Sequence, residues 1–268
     1  MESMPQAADL LEECNTLYGA LQAVPDERWL QPTQFKGWTF DDVIGHLHMF
    51  DHAAALTLQG REVVQAFFAA IAAARANGLT LTAYTRQWLG GLRGQALLRR
   101  WHNFYHELAA EYARQDPKRR VAWGGPDMSV RSAISARQME TWSHGQAIFD
   151  SLGLERSESD RVRNIVMIGV NTFGWTFANR NLPVPQTLPH LRLVSPSGAV
   201  WEWGSPEQTD RVEGSAVEFC QVVAQTRNVA DTGLRVVGDV AHRWMSIAQC
   251  FAGPPEEPPA PHTRRIAA

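Results

Sequence analysis

Cysteine is scarce in this chain, and no two cysteines lie close enough to form a common metal or redox motif. Cys14, Cys220 and Cys250 are far apart, and no C-x-x-C pair occurs. This spacing argues against a disulfide framework and against a thiolate zinc site. We therefore expect all three thiols to be reduced and buried as small core residues.

Long apolar runs and blocks of one charge are also lacking. The most apolar stretch, residues 63–74, is shorter than the roughly 18 to 20 residues that cross a bilayer. The formal net charge is -3, and acidic and basic residues are interspersed. A basic surface for nucleic acid is therefore not indicated. The sequence predicts a small-molecule partner, with neither a membrane nor a nucleic acid as partner.

The first residues lack the pattern of a secretory signal. Such a signal begins with basic residues, which an apolar run and a small-residue cleavage site follow. The segment MESMPQAADLLEE instead carries acidic side chains. We therefore expect a cytoplasmic protein.

The most regular pattern in the chain is a helical periodicity of apolar residues. Leu10, Cys14, Leu17 and Leu21 recur at spacings of three and four, which places them on one stripe of a helix. Comparable patterns and end signals predict helices over residues 6–23, 40–58, 61–76, 92–114 and 130–152. The sequence thus predicts a mainly α fold whose first domain, residues 1–155, is a four-helix bundle with one long excursion.

The pattern changes after Gly153. Residues 156–252 predict a small α+β domain, in which a hairpin joined by Pro-Ser-Gly follows one helix and precedes a third strand and two more helices. The expected elements are a helix over 160–181, strands over 190–195, 199–203 and 211–214, and helices over 215–226 and 232–250. The last segment, residues 253–268, is rich in proline, and its composition predicts disorder.

The second predicted helix begins at a recognisable capping signal and carries three histidines. Thr39, with Asp42 three positions later, resembles a helix start at which both side chains satisfy free N–H groups. At about 100° per residue, His46 lies at the edge of the apolar sector and faces the bundle interior. His48 and His52 project from roughly the opposite side, and we expect them at the surface.

Glu140 and His144 are four residues apart in the helix predicted over 130–152, so they lie on one face. The same face carries small side chains that leave room for a further group, namely Ala133, Ala136, Ala147 and Ser151. A buried carboxylate beside an imidazole is costly unless a partner compensates it. A divalent metal is one such partner.

Two imidazoles and one carboxylate, with a coordination position left open, are typical of catalytic zinc and of other first-row divalent ions. His46, Glu140 and His144 therefore form a candidate metal site. The alternative is a chance i, i+4 pair on an exposed helix, together with a core histidine whose hydrogen bonds are satisfied. Residue spacing by itself leaves both interpretations open.

Two sequence elements around these residues resemble a known family. GWTFDDVIGHL, residues 37–47, resembles the G-W-T-x-x-D-V-x-x-H-L element of the mycothiol-dependent maleylpyruvate isomerase N-terminal domain, which belongs to the DinB-like metal-binding bundles. SARQMETWSHGQAIFDSLG, residues 135–153, resembles that family's A-R-x-x-E-x-x-x-H-x-x-D element. DPKRRVAWGGPDMS and HRWMSIAQCFAGPP resemble an actinobacterial subgroup, so the resemblance covers nearly the whole chain.

The resemblance implies that His46, Glu140 and His144 bind a divalent metal. Zinc is the first candidate, and nickel, manganese and iron are compatible with the same ligands. It also implies mycothiol as a thiol cosubstrate and a DinB-like four-helix bundle followed by a small α+β domain. The chain departs from the family at Ala147, where an aspartate usually stands three residues after the second histidine.

Three functions remain open at this stage. The first, which the resemblance favours, is a metal-dependent isomerase or S-transferase in which the metal activates mycothiol or polarises the substrate. The second is a thiol-independent isomerase, cyclase or hydrolase that uses the metal as a Lewis acid. The third is a binding protein for metal or a small molecule without turnover.

Arginines and tryptophans are the candidates for substrate contacts. Arg137 and Arg227 could each bind a substrate carboxylate, although a salt-bridged role within the protein is the alternative for both. Trp38, Trp142 and Trp175 could line an apolar pocket, but most tryptophans in a chain of this size belong to the core. Amphipathic helices are compatible with a homodimer, and they do not distinguish a dimer face from a packing face.

Overall fold

The computed structural model describes residues 4–267, and the chain divides into two compact units, Met1–Ile148 and Phe149–Ala268. The predicted boundaries of 1–155, 156–252 and 253–268 stay a prediction. All three cysteines are buried free thiols, as expected. Within residues 4–267, no helix is both long and apolar enough to span a membrane.

The first unit is helical and contains the predicted bundle. Helices α1 and α2 both pack against α5, and α3 and α4 pack against α2. A short antiparallel pair, β1 (Arg120–Val121) and β2 (Met128–Ser129), precedes the last helix. The helices are α1 (Pro5–Leu21), α2 (Phe40–Gln59), α3 (Arg61–Ala76), α4 (Leu81–Trp88), α5 (Gly94–Ala113) and α6 (Val130–Leu152).

The helices that carry the candidate site begin and end at the residues that the sequence indicates. At the start of α2, the Asp42 N–H donates to Thr39 Oγ1 at 3.2 Å, and the Thr39 N–H donates to Asp42 Oδ2 at 3.0 Å. At the start of α6, Ser129 Oγ accepts from the Ser132 N–H at 3.1 Å. Gly153 follows α6 with φ of 68°, a left-handed conformation that favours glycine.

The second unit combines helices with a four-stranded sheet. The sheet has the order β4-β3-β5-β6, with β3 antiparallel to β4 and parallel to β5, and β5 antiparallel to β6. Leu191, Leu193 and Val212 point from the sheet into the core. The strands are β3 (His190–Val194), β4 (Val200–Trp203), β5 (Arg211–Ser215) and β6 (Arg235–Val237), and the helices are α7 (Arg163–Asn171), α8 (Phe173–Ala178), α9 (Ala216–Val223) and α10 (Asp239–Ile247). The predicted hairpin and third strand are therefore present.

Three elements differ from the prediction. Helix α4 is not predicted, because its eight residues are too few to establish a helical period and half of them are polar. The helix predicted over 160–181 divides into α7 and α8 at Thr172. Strand β6 lies inside the helix predicted over 232–250, where Gly238, with φ of 89°, separates the strand from α10.

The proline-rich segment, residues 253–267, contacts residues of the second unit, and its predicted disorder stays a prediction. It forms no helix or strand, yet side chains of the second unit donate to its carbonyls, with Gln225 Nε2 at 2.9 Å from Glu256 O and Asn228 Nδ2 at 2.8 Å from Pro259 O. The Ala267 N–H donates to Asp150 O at 2.7 Å. Prolines restrict the unfolded backbone, so ordering such a segment costs less conformational entropy.

Candidate metal centre

Helices α2 and α6 bring together the three residues that the sequence singles out. His46 lies on α2, and Glu140 and His144 lie one turn apart on α6. Glu140 Oε2 is 3.3 Å from His46 Nε2 and 3.1 Å from His144 Nε2. The three residues each offer a ligand atom, and these atoms all lie within 4.8 Å of one another. The structure therefore brings the three residues together, and metal binding by them stays a proposal.

The spacing of these atoms fits a metal. Tetrahedral zinc has bonds of about 2.0 to 2.1 Å to nitrogen and oxygen, which places neighbouring ligand atoms about 3.3 Å apart. The observed separations of 3.3 and 3.1 Å match that value. Two N–H···O hydrogen bonds have a similar length, so the chemistry of the donor atoms must distinguish the two arrangements.

The electrostatic environment favours the protonation states that bind a metal. Burial, with His144 nearby, lowers the pKa of His46 to about 4, so its imidazole is neutral at pH 7. Burial raises the pKa of Glu140, but the hydrogen bonds to His144 and His46 outweigh it and hold that pKa well below its usual range. A neutral imidazole and an ionised carboxylate are the forms that coordinate metals.

Aromatic side chains hold the two imidazoles. The Nδ1 atoms of His46 and His144 are buried, and neither has a hydrogen-bond partner among the residues that the structure describes. The Trp38 ring stacks on His144 at a centroid distance of 5.4 Å and an angle of 1°, and Phe35 meets the same ring edge-on at 5.0 Å. His46 lies between Trp38, at 5.3 Å, and Phe50, at 4.6 Å. These contacts define an aromatic wall, consisting of Phe35, Trp38 and Phe50.

The loop before α2 positions two members of this wall. Lys36 and Gly37 adopt consecutive left-handed conformations, with φ of 52° and 68°. The Thr33 N–H donates to Trp38 O at 2.8 Å and closes the turn. Gly37, part of the G-W-T element, therefore permits the bend that carries Phe35 and Trp38 to the imidazoles.

Arg137 is bound inside the protein. Its Nε donates to Asp51 Oδ1 at 2.8 Å, and its NH2 group donates to Leu47 O at 3.3 Å. Both side chains of the ion pair are buried, 3% and 0% exposed respectively. This placement favours the salt-bridged alternative over a role in binding a substrate carboxylate. Asp51 lies 86 residues from Arg137, and no local sequence signal indicates the pair.

Arg227 and the tryptophans also have defined surroundings. In the second unit, Arg227 makes a bidentate ion pair with Asp150, at 2.8 and 2.6 Å. This pair again favours the salt-bridged alternative. Trp142 is fully buried in the core, which contradicts a role in lining a pocket, and Trp175 is half-buried. Trp38 is the one of the three that contacts the candidate site.

The expectation of exposed His48 and His52 is wrong for His48. His48 is only 5% exposed and packs against Trp88 at 5.5 Å and Phe104 at 5.2 Å, whereas His52 is half-buried near the same two rings. The reason is helix α4, which the sequence does not predict and which supplies Trp88. Ala147, the residue three positions after His144, is buried and offers no carboxylate.

The chain is similar to known proteins in sequence and in fold. Residues 10–149 match the family described as the mycothiol maleylpyruvate isomerase N-terminal domain. An uncharacterized protein of Mycobacterium tuberculosis, found in two strains, is 38% identical over 251 residues, which cover 94% of this chain and 96% of that protein. Crystal structures of the mycothiol-dependent maleylpyruvate isomerase and of its histidine-to-alanine mutant have the same fold, at 13% identity and a TM-score of 0.53, over 84% of this chain and 92% of theirs.

Proposed function

Because the chain belongs to the mycothiol maleylpyruvate isomerase N-terminal domain family, we propose that it is a metal-dependent enzyme. It uses mycothiol either to isomerise a small organic molecule or to attach the thiol sulfur to that molecule. The observation that supports this function is the convergence of His46, Glu140 and His144 within the matched region. The structural relatives with an assigned activity are isomerases.

The ligand set supports a divalent ion with at least one open coordination position. Zinc is the first candidate, and nickel, manganese and iron are compatible with two imidazoles and one carboxylate. A bound ion of this kind lowers the pKa of a thiol that coordinates it and polarises a nearby carbonyl group.

The environment of the ligands favours the binding of a metal and of a thiolate. His46 is held neutral and Glu140 ionised, so neither ligand must lose a proton before it binds. The aromatic wall packs against both imidazoles, and the lower local dielectric beside it strengthens the attraction between a thiolate and a cation.

A thiolate accounts for isomerisation without net consumption of the thiol. When its sulfur adds to a conjugated alkene, the double bond becomes a single bond about which the substrate rotates. The electron pair of the addition product then restores the alkene and expels the thiolate. In S-transfer, by contrast, the sulfur displaces a leaving group and remains on the product.

Metal content and thiol binding test the proposed function. We expect near-stoichiometric metal in the purified protein, and loss of that metal in the His46→Ala and Glu140→Gln variants. Saturable mycothiol binding should disappear in the same variants. His52→Ala, on the same helix but outside the site, is the matched control and should retain metal and thiol binding.

Two outcomes would contradict the proposal at different levels. A protein that takes up no zinc, nickel, manganese or iron after each is added back has no functional metal centre. A protein that binds metal but shows no saturable mycothiol binding retains the metal site and loses the thiol-dependent reaction; it would then fit the Lewis-acid alternative.

A further inference from the structure

We propose that Arg137 and Asp51 are a positioning pair for the metal centre, which fixes the register of the two helices that carry the ligands. This inference rests on the proposed function, because it assigns the pair a role toward the metal. Three observations support it: the path of the hydrogen bonds, the position of the pair beside the ligands, and the lack of other polar restraints on the imidazoles.

The pair connects three helices through one carboxylate. Asp51 Oδ1 accepts from Arg137 Nε at 2.8 Å, which links α2 to α6. Asp51 Oδ2 accepts from Trp101 Nε1 at 2.9 Å, which links α2 to α5. The guanidinium also donates to the Leu47 carbonyl at 3.3 Å. A planar guanidinium with fixed donor directions satisfies both acceptors on α2 in only one register of α6.

The hydrogen bonds lie next to the ligands on both helices. Leu47 directly follows His46, so Arg137 holds the α2 backbone one residue from the first ligand. Arg137 itself stands one turn before Glu140 on α6. A shift of α6 along α2 would therefore break these hydrogen bonds, and the same shift would change the distance from His46 Nε2 to Glu140 Oε2.

The imidazoles have few other polar restraints. A histidine that binds a metal usually donates its second ring N–H to a carboxylate, a carbonyl or water, which fixes the ring. His46 Nδ1 and His144 Nδ1 have no such partner among the described residues. Ring position then depends on aromatic packing and on the backbone that carries each ring. The backbone register of α2 against α6 therefore determines the ligand geometry to an unusual degree.

Stability by itself does not account for the pair, since replacing a buried ion pair with apolar residues of similar volume is often neutral or stabilising. The experiment separates positioning from folding by such an apolar replacement. The double variant Arg137→Met/Asp51→Leu, made in a Trp101→Phe background and compared with it, removes both charges together and leaves neither a buried charge nor the Trp101 N–H without a partner. We expect its metal-free thermal midpoint to stay close to that of its Trp101→Phe parent, while zinc affinity, measured by chelator competition, falls about 10- to 100-fold. The visible spectrum of the Co²⁺-loaded protein, which reports ligand geometry, should also change.

Two further variants cover the alternatives. Arg137→Lys keeps the charge but cannot donate to Asp51 and Leu47 O with one rigid group, so we expect a smaller loss of zinc affinity and an altered Co²⁺ spectrum. Arg86→Met is the control. It removes the mostly exposed ion-pair partner of Asp42, and Asp42 lies on α2 four residues before His46. It should leave zinc affinity within about twofold.

The outcomes distinguish this inference from the proposed function. Parent-like zinc affinity and Co²⁺ spectrum in the folded double variant would overturn the positioning role and leave the metal enzyme intact. If the double variant does not fold, parent-like behaviour of Arg137→Lys overturns it instead. An equal loss in Arg86→Met would also overturn it, because any change to α2 would then suffice. A parent that binds no metal contradicts the proposed function itself.

Discussion

Two clusters of histidine and aromatic rings lie on different sides of α2, and they differ in the charged groups around them. His46 and His48 are both buried, burial lowers the pKa of each to about 4, and each has an Nδ1 atom without a hydrogen-bond partner in the described chain. His46 faces the Glu140 carboxylate, whereas the charge that acts on His48 is the Arg100 cation, with His52 nearby.

The difference shows what makes one cluster a candidate metal centre. Both sides provide imidazoles in an aromatic environment, so burial and ring packing do not distinguish them. Among the described residues, the carboxylate that contacts these histidine rings is Glu140, which stands one turn from His144 on the face of α6 that meets His46. A positive neighbour such as Arg100 opposes cation binding at the other cluster.

The largest effect that we expect is a new metal site, created by adding a carboxylate to the cluster around His48. Phe104→Glu with Arg100→Gln, made in the His46→Ala background, removes the opposing cation and places a carboxylate beside His48 and His52, whose rings lie 5.2 and 5.9 Å from that of Phe104. Zinc binding measured by calorimetry should reappear at one equivalent per chain. Phe104→Gln, of similar size but uncharged and made with the same accompanying changes, is the control and should bind none. Equal binding by both variants would mean that the carboxylate is not the deciding group.

A smaller effect is expected from the aromatic rings. Trp38→Leu removes the ring that stacks on His144. An aromatic pair contributes about 0.5 to 1.5 kcal/mol, so zinc affinity should fall about 2- to 13-fold. Trp88→Leu removes the corresponding ring from the His48 cluster and should leave zinc affinity unchanged. Chelator competition on both variants measures this contrast, and an equal response would show that the wall does not orient the ligand.

The smallest effect concerns the start of α2, which both clusters share. Burial raises the pKa of Asp42, but hydrogen bonds from Arg86 and Thr39 outweigh it and lower the net value. A depressed folded pKa stabilises the protein above the unfolded pKa of about 3.9, and this stability is lost as the pH falls through the folded pKa. Because Arg86 is mostly exposed, the expected contribution is at most about 1 kcal/mol.

Urea unfolding of the metal-free protein checks this prediction. The difference in unfolding free energy between the parent and Asp42→Asn should be largest near about pH 6 and shrink toward about pH 3. A difference that does not depend on pH would show that the ionised form of Asp42 contributes nothing. Asp42→Asn should affect neither histidine cluster more than the other, because the capping residues precede both clusters along the chain.

The candidate ligands could be predicted because each depends on local geometry. Glu140 and His144 share a face by the helical repeat alone, and His46 lies at an apolar edge that any bundle would bury. The capping signal of Thr39 and Asp42 is likewise contained within four residues. Motif resemblance then joined the two helices into one expected site.

The partners of the arginines and of His48 could not be predicted, because they depend on residues that are distant in sequence. Arg137 makes an ion pair with Asp51, 86 positions away, and His48 packs against a helix that is too short for its period to be recognised in the sequence. The path of residues 253–267 similarly depends on donors such as Gln225, which no pattern within the segment reveals.

The sequence by itself determined the helices of the bundle and the identity of the candidate ligands, since backbone periodicity and capping act over a few residues. Only the tertiary structure decided that His48 is buried, which carboxylate neutralises each candidate arginine, and which aromatic rings enclose the imidazoles. The physical reason is that burial and ion pairing depend on helix packing, and packing is set by contacts between residues far apart in the chain.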